Sequence, residues 1–187
     1  MDKNGVRKRI RSLRSSLTQE QVDRNSLFVF EQFCTLAQIQ DANCLALYLS
    51  DENEISTRLM LDWLAQCNKT TCLPVVDDRN LLFYEYCPSR LVENHLAILE
   101  PDRASSLLLD LQSIDAIIVP LVAYDINRYR LGRGGGYYDR ALQGVRKMSA
   151  PPFLIGLGYD MQKIDDCMPE PHDVQMDCII TPSCIIK

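Results

Sequence analysis

Apolar residues at Val6, Ile10, Leu13 and Leu17 recur at spacings of four, three and four, which predicts an opening amphipathic helix docked along one narrow stripe. On the same wheel Lys3, Arg7, Arg11 and Arg14 form a cationic ridge beside the stripe, while Lys8 and Arg9 point elsewhere. Thr18 and Gln21 have capping-box spacing and open a second predicted helix through Phe28, Phe33 and Leu36. The run CLALYLS, residues 44–50, suits a buried strand. Beyond a polar turn, Ser56 is placed to cap a helix whose inner face carries Leu59, Trp63 and Leu64. TCLPVV, LLFYEYC and IDAIIVP read as further strands, as do FLIGLG and CIITP, the last two separated by an acidic, proline-bearing connection from Asp160 to Asp173. Strands and helices alternating at this spacing predict an α/β fold, a mostly parallel sheet flanked by helices. No repeat or low-complexity linker divides the chain, so residues 1–187 read as one domain.

Composition narrows the class of ligand. The 187 residues are 47% apolar and 24% charged, which excludes a disordered or collagen-like chain. A formal charge of −5 argues against general binding to a nucleic-acid backbone. That charge is unevenly spread: residues 1–14 and 128–147 each hold six basic side chains and one acid, leaving 8 basic against 23 acidic residues elsewhere. Two cationic islands in an acidic chain suggest a small polyanion, although charge alone also allows two solvated helix faces. Eight cysteines contain no C-x-x-C pair, and only His95 and His172 could complete a zinc site, so the thiols are expected reduced and the metal absent. A charged opening without an apolar core and the lack of any membrane-length apolar run predict a cytoplasmic protein that meets no membrane.

The most informative segment is IIVPLVAYDINRYRLGRGGGYYDRAL, residues 117–142, which passes from a buried strand through an arginine- and glycine-rich loop into a helix. At the carboxyl end of a parallel strand this layout places a ligand. Gly132, Gly134, Gly135 and Gly136 let backbone N–H groups approach phosphate oxygens, and the helix start aims its positive end at the same anion. Arg130 and Arg133 add charge that a structural turn does not need. No Gly-Lys-Ser/Thr ends the loop, and Tyr137 stands where a dinucleotide fingerprint would have its last glycine. Asp139 also suits a helix's first turn on dipole grounds alone.

The segment RLGRGGGYYDR, Arg130 to Arg140, resembles the signature of the 5-formyltetrahydrofolate cyclo-ligases. In order along the chain, Lys3 to Arg7 is similar to that family's K-x-x-L-R element, and LSDENEIST (residues 49–57) to its strand-end motif. ILEP, PLVAYD and HDVQMDCIITP follow in sequence at residues 98–101, 120–125 and 172–182. The resemblance implies a Rossmann-like three-layer fold of the sugar-isomerase and CoA-transferase type. It implies ATP-dependent conversion of 5-formyltetrahydrofolate, with or without a polyglutamate tail, to 5,10-methenyltetrahydrofolate in one-carbon metabolism. ATP and Mg²⁺ are the implied cofactors, and a monomer is expected.

Residue by residue, the resemblance implies ATP contacts from Lys3, Arg7, Arg130, Leu131, Gly132, Arg133, Gly134, Gly135, Gly136, Tyr137 and Tyr138. Leu49, Glu54 and the stretch Arg133 to Tyr137 are implied to face the folate, with Arg133 and Tyr137 catalytic, and Asp139 and Asp177 to hold the metal. Taken alone, Glu54 reads as a solvated turn acid, and Asp177 and His172 as turn residues. The chain departs from the family where Arg128 replaces a usual turn glycine, with Asn127 expected to take the left-handed conformation, and where Val6 replaces a leucine. A sugar-phosphate isomerase or CoA-transferase on a similar fold, which needs no nucleotide, is the alternative enzyme. A folate- or nucleotide-binding module without turnover is the alternative outside catalysis.

Overall fold

The computed structural model describes residues 2–94 and 98–187; His95 therefore lies outside the described residues. In chain order, α1 (Lys3–Ser15), α2 (Gln19–Cys34) and α3 (Ala37–Asp41) lead into β1 (Cys44–Ala46), and α4 (Arg58–Gln66) into β2 (Thr70–Asp77) and β3 (Asn80–Glu85). A small pair, β4 (Leu91–Glu93) and β5 (Leu99–Pro101), and β6 (Leu108–Leu109) precede β7 (Ala116–Pro120). After β7 come β8 (Ala123–Tyr124), β9 (Arg130–Leu131), α5 (Tyr137–Ala141), β10 (Phe153–Leu157), β11 (Cys178–Ile180) and β12 (Ile185–Ile186).

Eight strands form one sheet in the order β12-β11-β10-β7-β1-β2-β3-β6. The five central strands, β11 to β2, pair in parallel, and the outer pairings at both margins are antiparallel. Successive residues of a strand face opposite sides, so a sheet covered twice must be apolar at every position. Leu45, Ile118 and Ile155 pack on one side with Val29, Phe33, Met60 and Leu64 of α2 and α4. Ala46, Ile117, Val119 and Leu154 pack on the other with Leu142 and Val145, around the short α5. The helical layers are thus unequal, and the thin side leaves room above the strand ends.

Local details correct several expectations. Val6 and Ile10 are buried as predicted, but Leu13 is exposed and the third buried side chain of α1 is Arg14. A guanidinium can take that place because Glu52 and Glu54 come up against it. The Thr18–Gln21 capping box forms, but α2 stops at Cys34, and Phe28 faces solvent. Thr57, not Ser56, occupies the N-cap position of α4, and its hydroxyl donates to the Tyr48 carbonyl at 2.5 Å. The inner face of α4 is Met60, Leu61 and Leu64; Leu59 is exposed, and Trp63 packs edge-on against Phe30 and Phe33. In the turn between β8 and β9 the left-handed residue is Arg128 (φ 65°) rather than Asn127. The buried Asp125 carboxylate fastens that turn by accepting the Tyr129 and Cys167 N–H groups. Among the described residues no helix is long and apolar enough to cross a membrane.

Candidate active site

A cavity of about 430 Å³ opens at the carboxyl ends of β1, β2 and β7. Four chain segments supply its polar wall: the start of α1, the Tyr48–Glu54 loop after β1, the glycine loop between β9 and α5, and the Glu170–Asp173 stretch before β11. Lys3, Arg7, Leu49, Glu54, Arg130, Leu131, Gly132, Arg133, Gly134, Gly135, Gly136, Tyr137, Tyr138 and Asp139 all line it. Asp177 does not appear on the described lining. Arg146 reaches both of its carboxylate oxygens, at 2.9 and 3.0 Å, and the Leu154 N–H donates to one of them. In this arrangement Asp177 ties the start of β10 to the segment before β11.

The glycine loop is shaped by backbone conformation. Gly134 (φ 107°) and Gly136 (φ 65°) occupy regions that L side chains rarely adopt, and a Cβ on Gly135 would come within 2.7 Å of the Tyr137 ring. Arg140 donates to the Gly135 carbonyl at 2.9 Å and lies over the Tyr137 ring, 5.0 Å from its centroid, bracing the loop from behind. The helix that follows is only five residues long, so the expected pull of a helix dipole reduces to the free N–H groups of one turn.

Each cation of the wall is already engaged. Arg7 donates to the Gly132 carbonyl at 2.9 Å, and Lys3 pairs with Glu170 at 2.9 Å and lies 3.9 Å from Asp173. The hydrogen bond from Lys3, with its charge and that of His172, holds the exposed Glu170 carboxyl below its usual range. Buried Arg130 donates to the Val174 carbonyl and pairs with Asp139 at 2.5 Å. Arg133 spans the cavity to Glu54 at 2.9 Å and Asp51 at 3.2 Å. Burial opposes the charge on Arg133, but Glu54, Asp51 and Glu52 outweigh it and hold the guanidinium pKa above its ordinary value. Glu54 itself is buried, against its reading as a solvated turn acid, and its second oxygen accepts the Asp51 N–H at 3.3 Å.

Behind these charges sit three tyrosines. Burial, with the nearby Glu54 charge, pushes the Tyr48 and Tyr138 hydroxyls well up, and burial, opposed by Arg14, pushes Tyr159 up to about 12. The Tyr138 hydroxyl oxygen is sealed from solvent and has no hydrogen-bond partner among the described residues. Pro74, Val76 and Leu81, which no sequence motif marks, form an apolar wall with Ile98 of the ILEP stretch. Nor did the sequence reading single out Asp51, Glu170 and Asp173, or place His172 at the cavity. Pro74 and Val76 were hidden because they alternate with core residues along β2, and Leu81 because it reads as core; Asp51 and Asp173 sit inside quoted motifs whose spacing says nothing of which acid faces the cavity.

Fold and site together define an α/β protein with a cleft at its strand ends, walled by arginines, a lysine and carboxylates on one side and by apolar side chains on the other. The model of the 5-formyltetrahydrofolate cyclo-ligase family matches residues 1–182, and the chain belongs to that family. It is 35% identical over 178 residues to the Escherichia coli K12 5-formyltetrahydrofolate cyclo-ligase, covering 93% of this chain and 97% of that protein. The Haemophilus influenzae cyclo-ligase is 35% identical over 175 residues, covering 91% of this chain and 92% of that protein. Among solved structures, the Aquifex aeolicus 5,10-methenyltetrahydrofolate synthetase superposes with a TM-score of 0.86 at 26% identity, covering 100% of this chain and 93% of that one. The Mycoplasma pneumoniae synthetase superposes with a TM-score of 0.79 at 26% identity, covering 97% of this chain and 99% of that one.

Proposed function

We propose that this protein uses ATP to convert 5-formyltetrahydrofolate to 5,10-methenyltetrahydrofolate, releasing ADP and phosphate. The observation that supports the reading is the contact of Arg133, an arginine of the glycine loop, with the buried Glu54 carboxylate in one cavity. A formamide carbonyl is a weak electrophile and its oxygen a poor leaving group. Transfer of the terminal phosphoryl group to the formyl oxygen makes an iminium-like phosphate ester. N10 then attacks the formyl carbon and gives up its proton to solvent, and phosphate departs with the original formyl oxygen.

The protein's share is positioning and neutralisation. Lys3 and Arg7, with the backbone N–H groups of residues 132–136, hold the phosphates, Leu131 and Tyr138 bounding the cradle and Arg130 supporting it through Asp139. Arg133 moves onto the transferring group, where charge develops. Glu54 accepts the paired N–H donors of the pterin edge. Leu49 and Tyr137 pack against the folate, and Pro74, Val76, Leu81 and Ile98 cover its aromatic ring.

Five carboxylates of the described residues line the cavity, Asp51, Glu54, Asp139, Glu170 and Asp173, and of these Asp139 closely follows the glycine loop. Asp139 faces the cavity, and Mg²⁺ in phosphoryl-transfer sites takes one or two carboxylates and fills its sphere with phosphate oxygens and water. Bound there, Mg²⁺ would neutralise phosphate charge, with Asp139 as its protein ligand. We further read the protein as a cytoplasmic monomer that accepts polyglutamylated folate. The test is a spectrophotometric assay for a near-ultraviolet-absorbing product. Product is expected only when ATP and Mg²⁺ are both supplied; none under those conditions overturns the reading, and turnover without nucleotide would favour an isomerase or transferase.

A further inference from the structure

Arg14 is the largest fully buried side chain among the described residues, and it does not line the cavity. Its Nε donates to the Glu52 carbonyl at 2.9 Å, its Nη2 lies 3.5 Å from the Glu52 carboxylate, and its Nη1 lies 3.5 Å from Oε1 of Glu54. The loop it grips is bent to meet it: Glu52 (φ 48°) and Asn53 (φ 57°) both stand in the left-handed region, and the Asn53 amide donates back to the Arg14 and Leu17 carbonyls at 3.2 Å. A buried guanidinium with both ends engaged has one pose, and it points at one oxygen of Glu54.

That oxygen has two cations on it, and they differ in freedom. Arg133 approaches at 2.9 Å from a glycine loop with its side chain 42% exposed, whereas Arg14 approaches from inside a helix face at 1%. Among the described residues these are the two ion pairs of Glu54. Tyr48, Tyr138 and Tyr159 feel its charge, and Asp51 and Glu52 lie beside it with the same sign. If Arg133 swings to a phosphoryl group, as the proposed reaction requires, Glu54 loses its nearer partner while remaining buried. A lone buried carboxylate is strongly disfavoured.

We propose that Arg14 is a positioning residue: the fixed counter-ion that stays on Glu54 and keeps it aimed at the pterin edge while Arg133 serves the phosphates. The inference rests on the reading of Glu54 as the folate's carboxylate. It assigns Arg14 to the folate half of the reaction although it touches neither substrate.

The experiment is steady-state kinetics of the full-length enzyme as Arg14→Met, Arg14→Lys, Glu54→Gln and the Arg14→Met/Glu54→Gln double variant, each checked for its melting transition. Losing one member of a buried pair should raise the folate KM of Arg14→Met on the order of tenfold or more. The ATP KM and kcat should stay within about twofold, as for a loss of uniform substrate binding. Arg14→Lys should recover part of the folate affinity, and Arg14→Met should add little once Glu54 is already Gln. If Glu54→Gln leaves folate KM unchanged, the reading of Glu54 falls and the role of Arg14 falls with it. If Glu54→Gln raises folate KM but a folded Arg14→Met does not, or raises both KM values alike, only the role of Arg14 is overturned. Should Arg14→Met fail to fold, Arg14→Lys decides: a folate-selective rise of several-fold supports the proposal, and an equal or absent change for both substrates overturns it.

Discussion

Arg133 and Glu54, 79 residues apart in sequence, meet at 2.9 Å across the cavity. The cation read as a phosphate ligand rests on the carboxylate read as the pterin's, so each substrate has to displace the other half of a pair already made. Filling one half should loosen the other.

Arg133→Ala should lower kcat/KM about 10²- to 10³-fold, equivalent to about 3–4 kcal/mol, the scale of a lost donor to developing charge. Stability should change by less than about 1 kcal/mol, because Arg133 is 42% exposed and Glu54 keeps Arg14. Steady-state rates and denaturant midpoints check both halves; an unaltered kcat/KM would remove Arg133 from the chemistry.

Tyr138→Phe should leave the ligand-free protein as stable as the parent or more stable by about 1 kcal/mol. The hydroxyl is buried without a partner among the described residues, and such a group costs about 1–3 kcal/mol. A urea midpoint that dropped instead would mean that the hydroxyl is satisfied in solution.

Alkaline pH should unfold the protein through its tyrosines. Burial raises Tyr48, Tyr124, Tyr138 and Tyr159 above their ordinary value, Tyr159 to about 12. A phenol whose pKa is higher folded than unfolded contributes stability that is whole below about pH 10 and is lost as pH climbs through the folded value. Tyrosinate absorbance should therefore rise in two steps, the second coinciding with loss of near-ultraviolet dichroism. A single step near pH 10 in a folded protein would contradict this.

The two aspartates of the resemblance should separate in a magnesium titration. Asp139→Asn should raise the Mg²⁺ needed for half-maximal rate, since Asp139 faces the cavity. Asp177→Ala should instead cost stability, about 1–3 kcal/mol, chiefly by orphaning the Leu154 N–H. An equal rise in Mg²⁺ requirement for both would mean that Asp177 serves the metal alongside Asp139.

The parts of this molecule legible in its sequence are those whose chemistry is local. The apolar runs that became β1, β2, β7, β10 and β11 announce burial on both faces. The GRGGG stretch announces a backbone needing positive φ, and Gly134 and Gly136 adopt it. Arg14 was legible only as one more charge on a ridge, because what buries it, Glu52 and Glu54, arrives from a loop 38 and 40 positions later. The Arg128 turn was misplaced by one residue for a similar reason. Propensity favours Asn127, but the Arg128 carbonyl accepts the Met176 N–H and its Nε donates to the Met176 carbonyl, contacts available only once the sheet has formed. Helix α5 was legible as a helix after the glycine loop, but not its length: it spans only Tyr137–Ala141.

The sheet closes at each margin with a strand of two residues, β6 on one side and β12 on the other, both running against their neighbours. So brief a border offers a passing molecule almost no row of free amides and carbonyls on which to stack. Five parallel strands, a slow and association-prone arrangement while still forming, are in this way sealed at the seams once assembled.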